Sequence, residues 1–104
     1  MQNQKEQPTL EILENGSKSW WVNGLLHRLD GPAMEWLDGT KSWWVNGQRH
    51  RLNGPAIEFA DGSKQWWING EQLSEFEFKK RIKQLSPKEP KENSLSFFDF
   101  LIFD

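Results

Sequence analysis

The sequence predicts a mainly β protein, an antiparallel meander of short hairpins written in tandem. Three observations predict it. The stretch Trp43 to Ala56, W-W-V-N-G-Q-R-H-R-L-N-G-P-A, stands 23 residues after a near-copy, W-W-V-N-G-L-L-H-R-L-D-G-P-A, from Trp20 to Ala33. The same opening, W-W-I-N-G, returns another 23 residues on, from Trp66 to Gly70, and the pattern stops at Leu73. Self-similarity at a fixed short period is the signature of a repeat architecture. Finally, Asn-Gly or Asp-Gly recurs twice in every unit, and these dipeptides suit tight hairpins because the central residues of a type I′ turn need positive φ.

Taken in order, residues 1–8 are polar and read as a disordered N-terminus. Thr9 to Glu14, T-L-E-I-L-E, alternates apolar and acidic residues as a half-buried strand does, and it precedes Asn15-Gly16 as A-M-E-W-L precedes Asp38-Gly39. It is a degenerate copy of that strand, serving as an N-terminal cap. Each unit then reads as a strand (17–22), a turn at Asn23-Gly24, a short strand (25–29), a bend at Gly31-Pro32, a strand (32–37) and a second turn. The repeat sheet spans 9–73. Leu73-Ser74-Glu75-Phe76-Glu77-Phe78 carries a capping box, with Ser74 as N-cap, Glu77 at N3 and a Leu73–Phe78 staple. A capping helix is expected over 74–85, presenting Phe78, Ile82 and Leu85 on one face. Residues 86–94 form a Pro-containing linker. Residues 95–104 form an apolar docking tail whose Phe97, Phe98, Phe100, Leu101, Ile102 and Phe103 fold back on the domain or dock into another subunit or a partner.

Composition bounds the chemistry. With 104 residues, 36% apolar, the chain is one small domain, and seven Trp and seven Phe must supply most of its buried volume. The absence of Cys excludes disulfides and thiolate chemistry and fits a cytoplasmic location. No signal peptide and no apolar run of membrane-spanning length is visible. The net charge is −2, and residues 15–73 balance Lys18, Arg28, Lys41, Arg49, Arg51 and Lys64 against as many acids, so the basic footprint of a general nucleic-acid binder is missing. His27 and His50 have Leu73 as their third-copy counterpart, which marks a packing position, and two imidazoles are too few for zinc. No catalytic motif is present, and residues that recur in register suit a scaffold better than an active site, where unlike groups converge once. The chain reads as non-enzymatic, without metal or cofactor.

The pattern G-x-x-x-W-W-x-N-G-x-x-H-R-x-D/N-G-P-A resembles MORN-type repeats, most nearly the bacterial and viral MORN-variant group, over about Thr9 to Leu73. It departs from the usual pattern in Arg28 and Arg51 after the histidine and in its paired tryptophans. The resemblance implies a β-hairpin repeat scaffold for protein contacts, of an inhibitor, immunity or phage-antagonist type, with lipid binding claimed for some members.

If both turns of each unit hold two residues, Trp20, Val22, His27, Met34, Trp36, Trp43, Val45, His50, Ile57, Phe59, Trp66 and Ile68 share a core face. Trp21, Trp44 and Trp67 then point the other way, beside Ser19, Ser42, Gln65, Ala33 and Ala56. Arg28, Arg49, Arg51, Glu35 and Glu58 join them as the candidate binding set, or the rings pack beneath other parts of the chain. A slip of one residue would reverse every assignment. The expected partner is a protein, met through this face or the tail, with homo-oligomers possible through the latter. The alternatives are capture of a nucleotide-type small molecule, with Trp stacking the base and Arg holding phosphate, and a membrane-surface or phosphoinositide role through Lys79, Lys80, Arg81 and Lys83.

Overall fold

The computed structural model describes residues 7–85. The linker and the tail with Phe97, Phe98, Phe100, Leu101, Ile102 and Phe103 lie outside the described residues. The protein is mainly β, with antiparallel pairing throughout and one C-terminal helix.

Strand β1 (Thr9–Ile12) lies antiparallel to β2 (Lys18–Val22), pairing Leu10 with Trp20 and Ile12 with Lys18. β2 then turns at Asn23-Gly24 into β3 (Leu25–Leu26), and the chain returns along the rest of β2 as β4 (Met34–Glu35). Both halves of the returning segment therefore line one strand. Trp20 is the pivot: its carbonyl accepts from His27 N and its N–H donates to the Ala33 carbonyl. Residues 28–32 bulge out between those two bonds. The second unit repeats the plan with β5 (Lys41–Ser42), β6 (Trp44–Val45), β7 (Gln48–Arg49) and β8 (Ile57–Glu58). The third supplies β9 (Lys64–Ile68) and β10 (Glu71–Leu73). The main sheet runs β1-β2-β4-β5-β8-β9-β10, with β3 on β2. The β6–β7 hairpin is joined to its neighbours by Arg28 N to the Trp44 carbonyl and Gly47 N to the Leu26 carbonyl, and again by Arg51 N to Trp67 and Gly70 N to Arg49.

The two turn types differ, although their dipeptides match. At Asn23, Asn46 and Asn69 φ is 51°, 52° and 49°, and the following glycines are also positive, as a two-residue type I′ turn requires. At Asp38-Gly39 only the glycine is positive, at 98°. Trp36 N bonds the Thr40 carbonyl and Gly39 N bonds the Trp36 carbonyl, so Leu37, Asp38 and Gly39 form a three-residue loop of the type I plus bulge kind. Residues 13–17 and 59–63 do the same. In all three the Asx side chain accepts from the residue after glycine: Asn15 Oδ1 from Ser17 N, Asp38 Oδ1 from Thr40 N, and Asp61 Oδ1 from Ser63 N, at 2.8–2.9 Å. Asp61 also accepts from the Ser63 hydroxyl, and that bond and the backbone one hold its carboxyl below the usual aspartate range.

This third loop residue corrects the face assignment. Met34 is opposite Ser42, not Trp43, and Glu35 is opposite Lys41. The returning strands are therefore reversed relative to the two-residue expectation. Met34, Trp36, Ile57 and Phe59 lie with the second tryptophans. Ala33, Ala56, Glu35 and Glu58 lie with the first.

Burial follows the corrected register. Ala33 and Ala56, expected beside the open tryptophans, are completely buried, and Ser17, Ser19 and Ser42 nearly so. Ile57, Ile68 and Phe78 complete the set of buried apolar residues among those described. Trp36 and Phe59, expected in a core, are partly exposed. β1, expected to be half-buried, is exposed along its length. With so little fully buried apolar area, the sheet relies on lateral bonds between units. The Ser17 hydroxyl accepts from Leu37 N and the Thr40 hydroxyl from Ala60 N, both at 3.0 Å. Near the Asn-Gly turns, His27 Nδ1 accepts from Asn46 N and His50 Nδ1 from Asn69 N, both at 2.9 Å. Each histidine thus satisfies a turn N–H of the next unit.

Helix α1 (Glu75–Leu85) starts at Ser74, whose hydroxyl accepts from Glu77 N at 3.0 Å, and it lies against β9 and β10. Phe78 is buried and Ile82 half-buried, but Leu85, expected on the same inner face, is exposed.

The two turns predict opposite responses. Asn46→Gly should be nearly neutral in urea unfolding of the full chain, while Asn46→Ala should cost about 1 kcal/mol through its positive φ. At Asp38, whose side chain is the acceptor and whose φ is not positive, Asp38→Gly should cost at least as much as Asp38→Ala, about 1 kcal/mol.

Candidate functional site

Register and bonding divide the expected binding residues between the two faces of the sheet. On one face the bulge at residues 28–32 is closed by Arg28. Its guanidinium carbon sits 3.9 Å from the Trp20 ring centroid, its Nε donates to Asp30 Oδ1 at 2.9 Å and its Nη1 donates to the Pro32 carbonyl at 3.0 Å. Glu35 Oε2 lies 3.6 Å from Nη1. Arg51 repeats this over Trp43 at 3.8 Å, donating to Asn53 Oδ1, the Pro55 carbonyl and Glu58 Oε2 at 2.9–3.1 Å. The loop glycine makes room for the stack: a Cβ on Gly31 would meet Arg28 Cζ at 2.9 Å, and one on Gly54 would meet Arg51 Cζ at 3.0 Å. Arg28, Arg51, Glu35 and Glu58, expected beside Trp21, Trp44 and Trp67, thus stand with the first tryptophans, and their polar groups close loops. Between the two bulges lies a groove of about 440 Å³ over Trp43 and Val45, edged by Leu29 and Leu52.

The opposite face carries Trp21, Trp44 and Trp67. Each indole N–H donates to the side chain two residues earlier: Ser19 Oγ at 2.8 Å, Ser42 Oγ at 2.7 Å and Gln65 Oε1 at 3.0 Å. These bonds satisfy the indoles and fix the rings, which remain half-exposed. The Asn46-Gly47 turn places Arg49 directly opposite Trp44. Its guanidinium carbon lies 4.9 Å from the Trp44 centroid and 4.8 Å from that of Trp67, between the rings of successive units and within cation–π range of both. Its Nε is buried and lacks a hydrogen-bond partner among the described residues. Among the described residues Arg49 has no ion pair either, whereas Arg28 and Arg51 each have a carboxylate.

No family model, curated protein or solved structure matches the chain.

Arg49 also breaks the repeat. Leu26 and Gln72 hold its position in the first and third units, opposite Trp21 and Trp67. Sequence reasoning included Arg49 among eight residues without separating it. Between Trp20–Ala33 and Trp43–Ala56 three positions differ, Leu25/Gln48, Leu26/Arg49 and Asp30/Asn53, and of these Arg49 alone introduces a cation, which is the signal that separates it. Sequence reasoning missed Ser17, Thr40 and the histidines as lateral bonding groups. The Ser or Thr after Asn15-Gly16, Asp38-Gly39 and Asp61-Gly62, absent after the other Asn-Gly pairs, was the available signal. Among the described residues no group of His, Asp and Glu is placed to hold a metal.

The loop stack is testable by a double-mutant cycle. Gly54→Ala should cost about 1–2 kcal/mol by displacing Arg51 from Trp43, an arrangement worth about that much in stacking and charge-assisted bonds. In an Arg51→Ala background the same substitution should cost almost nothing, and additive costs in thermal or urea unfolding would refute the stack's role.

Proposed function

We propose that this protein is a non-enzymatic binding module of MORN-like repeats, whose Trp21, Trp44 and Trp67 face docks a protein partner in the manner of an inhibitor or immunity-type protein. The observation that carries this reading is the Trp44–Arg49–Trp67 stack. Trp and Arg are the side chains most enriched among residues that dominate interface energies. Here both rings are fixed by their own hydrogen bonds, so little side-chain entropy remains to be lost on docking. The same unit's other arginine has a loop to close. Arg49 has no such use within the sheet, and the buried Nε makes it costly to keep.

Capture of a nucleotide-type molecule has less support, because the arginines it would use for phosphate, Arg28 and Arg51, donate most of their bonds to Asp30, Asn53, Glu58 and the proline carbonyls. The membrane-surface reading is weakened likewise: Lys79 pairs with Glu75 and Arg81 with Glu71. No helix among the described residues is long and apolar enough to cross a membrane.

The decisive variant is Arg49→Gln, because Gln72 already occupies the equivalent place in the third unit. Its unfolding free energy should stay within about 0.5 kcal/mol of the wild type, as for a substitution outside the usual destabilising mechanisms. Affinity capture from the native host should nevertheless lose the protein that the wild type retains. That protein, once purified, should bind the wild type in calorimetry and bind the variant at least about tenfold more weakly, a loss of about 1.4 kcal/mol. Identical capture and equal affinity for both forms would remove the Trp–Arg face as the docking surface.

A further inference from the structure

We propose that Arg49 is a carboxylate-binding site, so that the partner docks with an aspartate or glutamate side chain flanked by apolar residues. The inference rests on the reading of the Trp face as the docking surface and specifies the chemistry of what docks.

Geometry narrows the ligand first. The guanidinium carbon lies 4.9 Å from the Trp44 centroid and 4.8 Å from that of Trp67, and with Nε buried it is the pair of Nη groups that is left to meet an acceptor. A planar fork presented edge-on matches a carboxylate, which accepts two parallel bonds in the same plane. Neither ring competes for that acceptor, because both indole N–H groups already donate, to Ser42 and Gln65.

Charge narrows it further. Arg28 and Arg51 each have a carboxylate within 3.6 Å, at Asp30, Glu35 or Glu58. Arg49 has none among the described residues, and its Nε is buried without an acceptor. The corrected register puts Lys18, Lys41 and Lys64 on the other face, opposite Glu35 and Glu58. Arg49 is then the one cation at the described strand positions of the Trp face. A single guanidinium balances one negative charge, which suits a carboxylate and leaves a phosphate dianion half neutralised. Across its hairpin Arg49 is opposite Trp44, and the same face of the sheet carries the apolar or uncharged Met34, Ile57, Ser19, Ser42 and Gln65. An acid flanked by apolar side chains complements that surround.

Selection of displayed linear peptides on the full chain tests this directly. The expected result is a consensus with Asp or Glu at one fixed position between apolar residues. The acid preference should vanish when selection is repeated on Arg49→Gln, while the apolar flanks persist. A synthetic peptide of the consensus should bind at least about tenfold more tightly than its Asp→Asn or Glu→Gln twin, as one charge-assisted bond implies. The twin should bind Arg49→Gln and wild type equally. A consensus without an acid, or an acid preference unchanged on Arg49→Gln, would overturn the carboxylate site and leave the docking face standing. No enriched consensus on the wild type overturns both.

Discussion

The register of this sheet is set at the three-residue loops, and most of the remaining structure depends on it. Because Leu37, Asp38 and Gly39 separate Trp36 from Thr40, Glu35 falls opposite Lys41 and on the same face as Trp20 and Arg28. Only then can Arg28 lie over Trp20 with Glu35 within reach of its Nη1. With one residue fewer, Glu35 would fall opposite Ser42, on the face of the second tryptophans. The loop in turn depends on a side-chain acceptor. Asp38 Oδ1 binds Thr40 N, and this leaves the Thr40 hydroxyl placed to accept from Ala60 N in the next unit. One Asx bond therefore fixes a turn, a register and a lateral contact.

Lateral bonding is what a sheet with so few buried apolar residues needs. Turn N–H groups that no strand can satisfy would each cost about 1–3 kcal/mol if left buried and unpaired. Hydroxyls near one end of each unit and histidine Nδ1 atoms near the other meet that need. The last unit dispenses with both. Ser63, with no following unit, turns its hydroxyl back to Asp61, and Leu73 takes the histidine's place where the chain enters the helix. The hydroxyl that follows the loop glycine thus bonds laterally where a neighbour exists and locally where none does.

The mainly β architecture, the Asn-Gly hairpins and the Ser74 helix start were legible in the sequence because each rests on local chemistry: positive φ, a hydroxyl cap, a fixed period. The face of each returning strand was not. Asn15-Gly16 and Asn23-Gly24 are the same dipeptide, yet Asn23 adopts positive φ and Asn15 does not. What separates them is the following residue, Ser17 against Leu25, and its hydroxyl matters only through a contact twenty residues away. The candidate site was legible to the same extent. Trp44 beside Arg49 followed from one local turn, and their pairing stands. Glu35 and Glu58 depended on the register of the other turn, and Arg28 and Arg51 on a hairpin ladder that in fact ends at His27 and His50, so all four fell on the opposite face.

Repetition itself sorts the arginines by role. A side chain that recurs in register can be explained by what every unit must do, and Arg28 and Arg51 close the same bulge over the same ring with a carbonyl and a carboxylate. Arg49 admits no such explanation. Its counterparts are an aliphatic and an amide side chain, so the hairpin does not require a cation there. Two neighbouring rings recover part of the cost of half-burying the guanidinium, by about 0.5–2 kcal/mol each, but they leave its buried Nε unmatched. A charge that the fold neither requires nor neutralises is a stability cost at that position. It is best accounted for by an anion from outside the sheet.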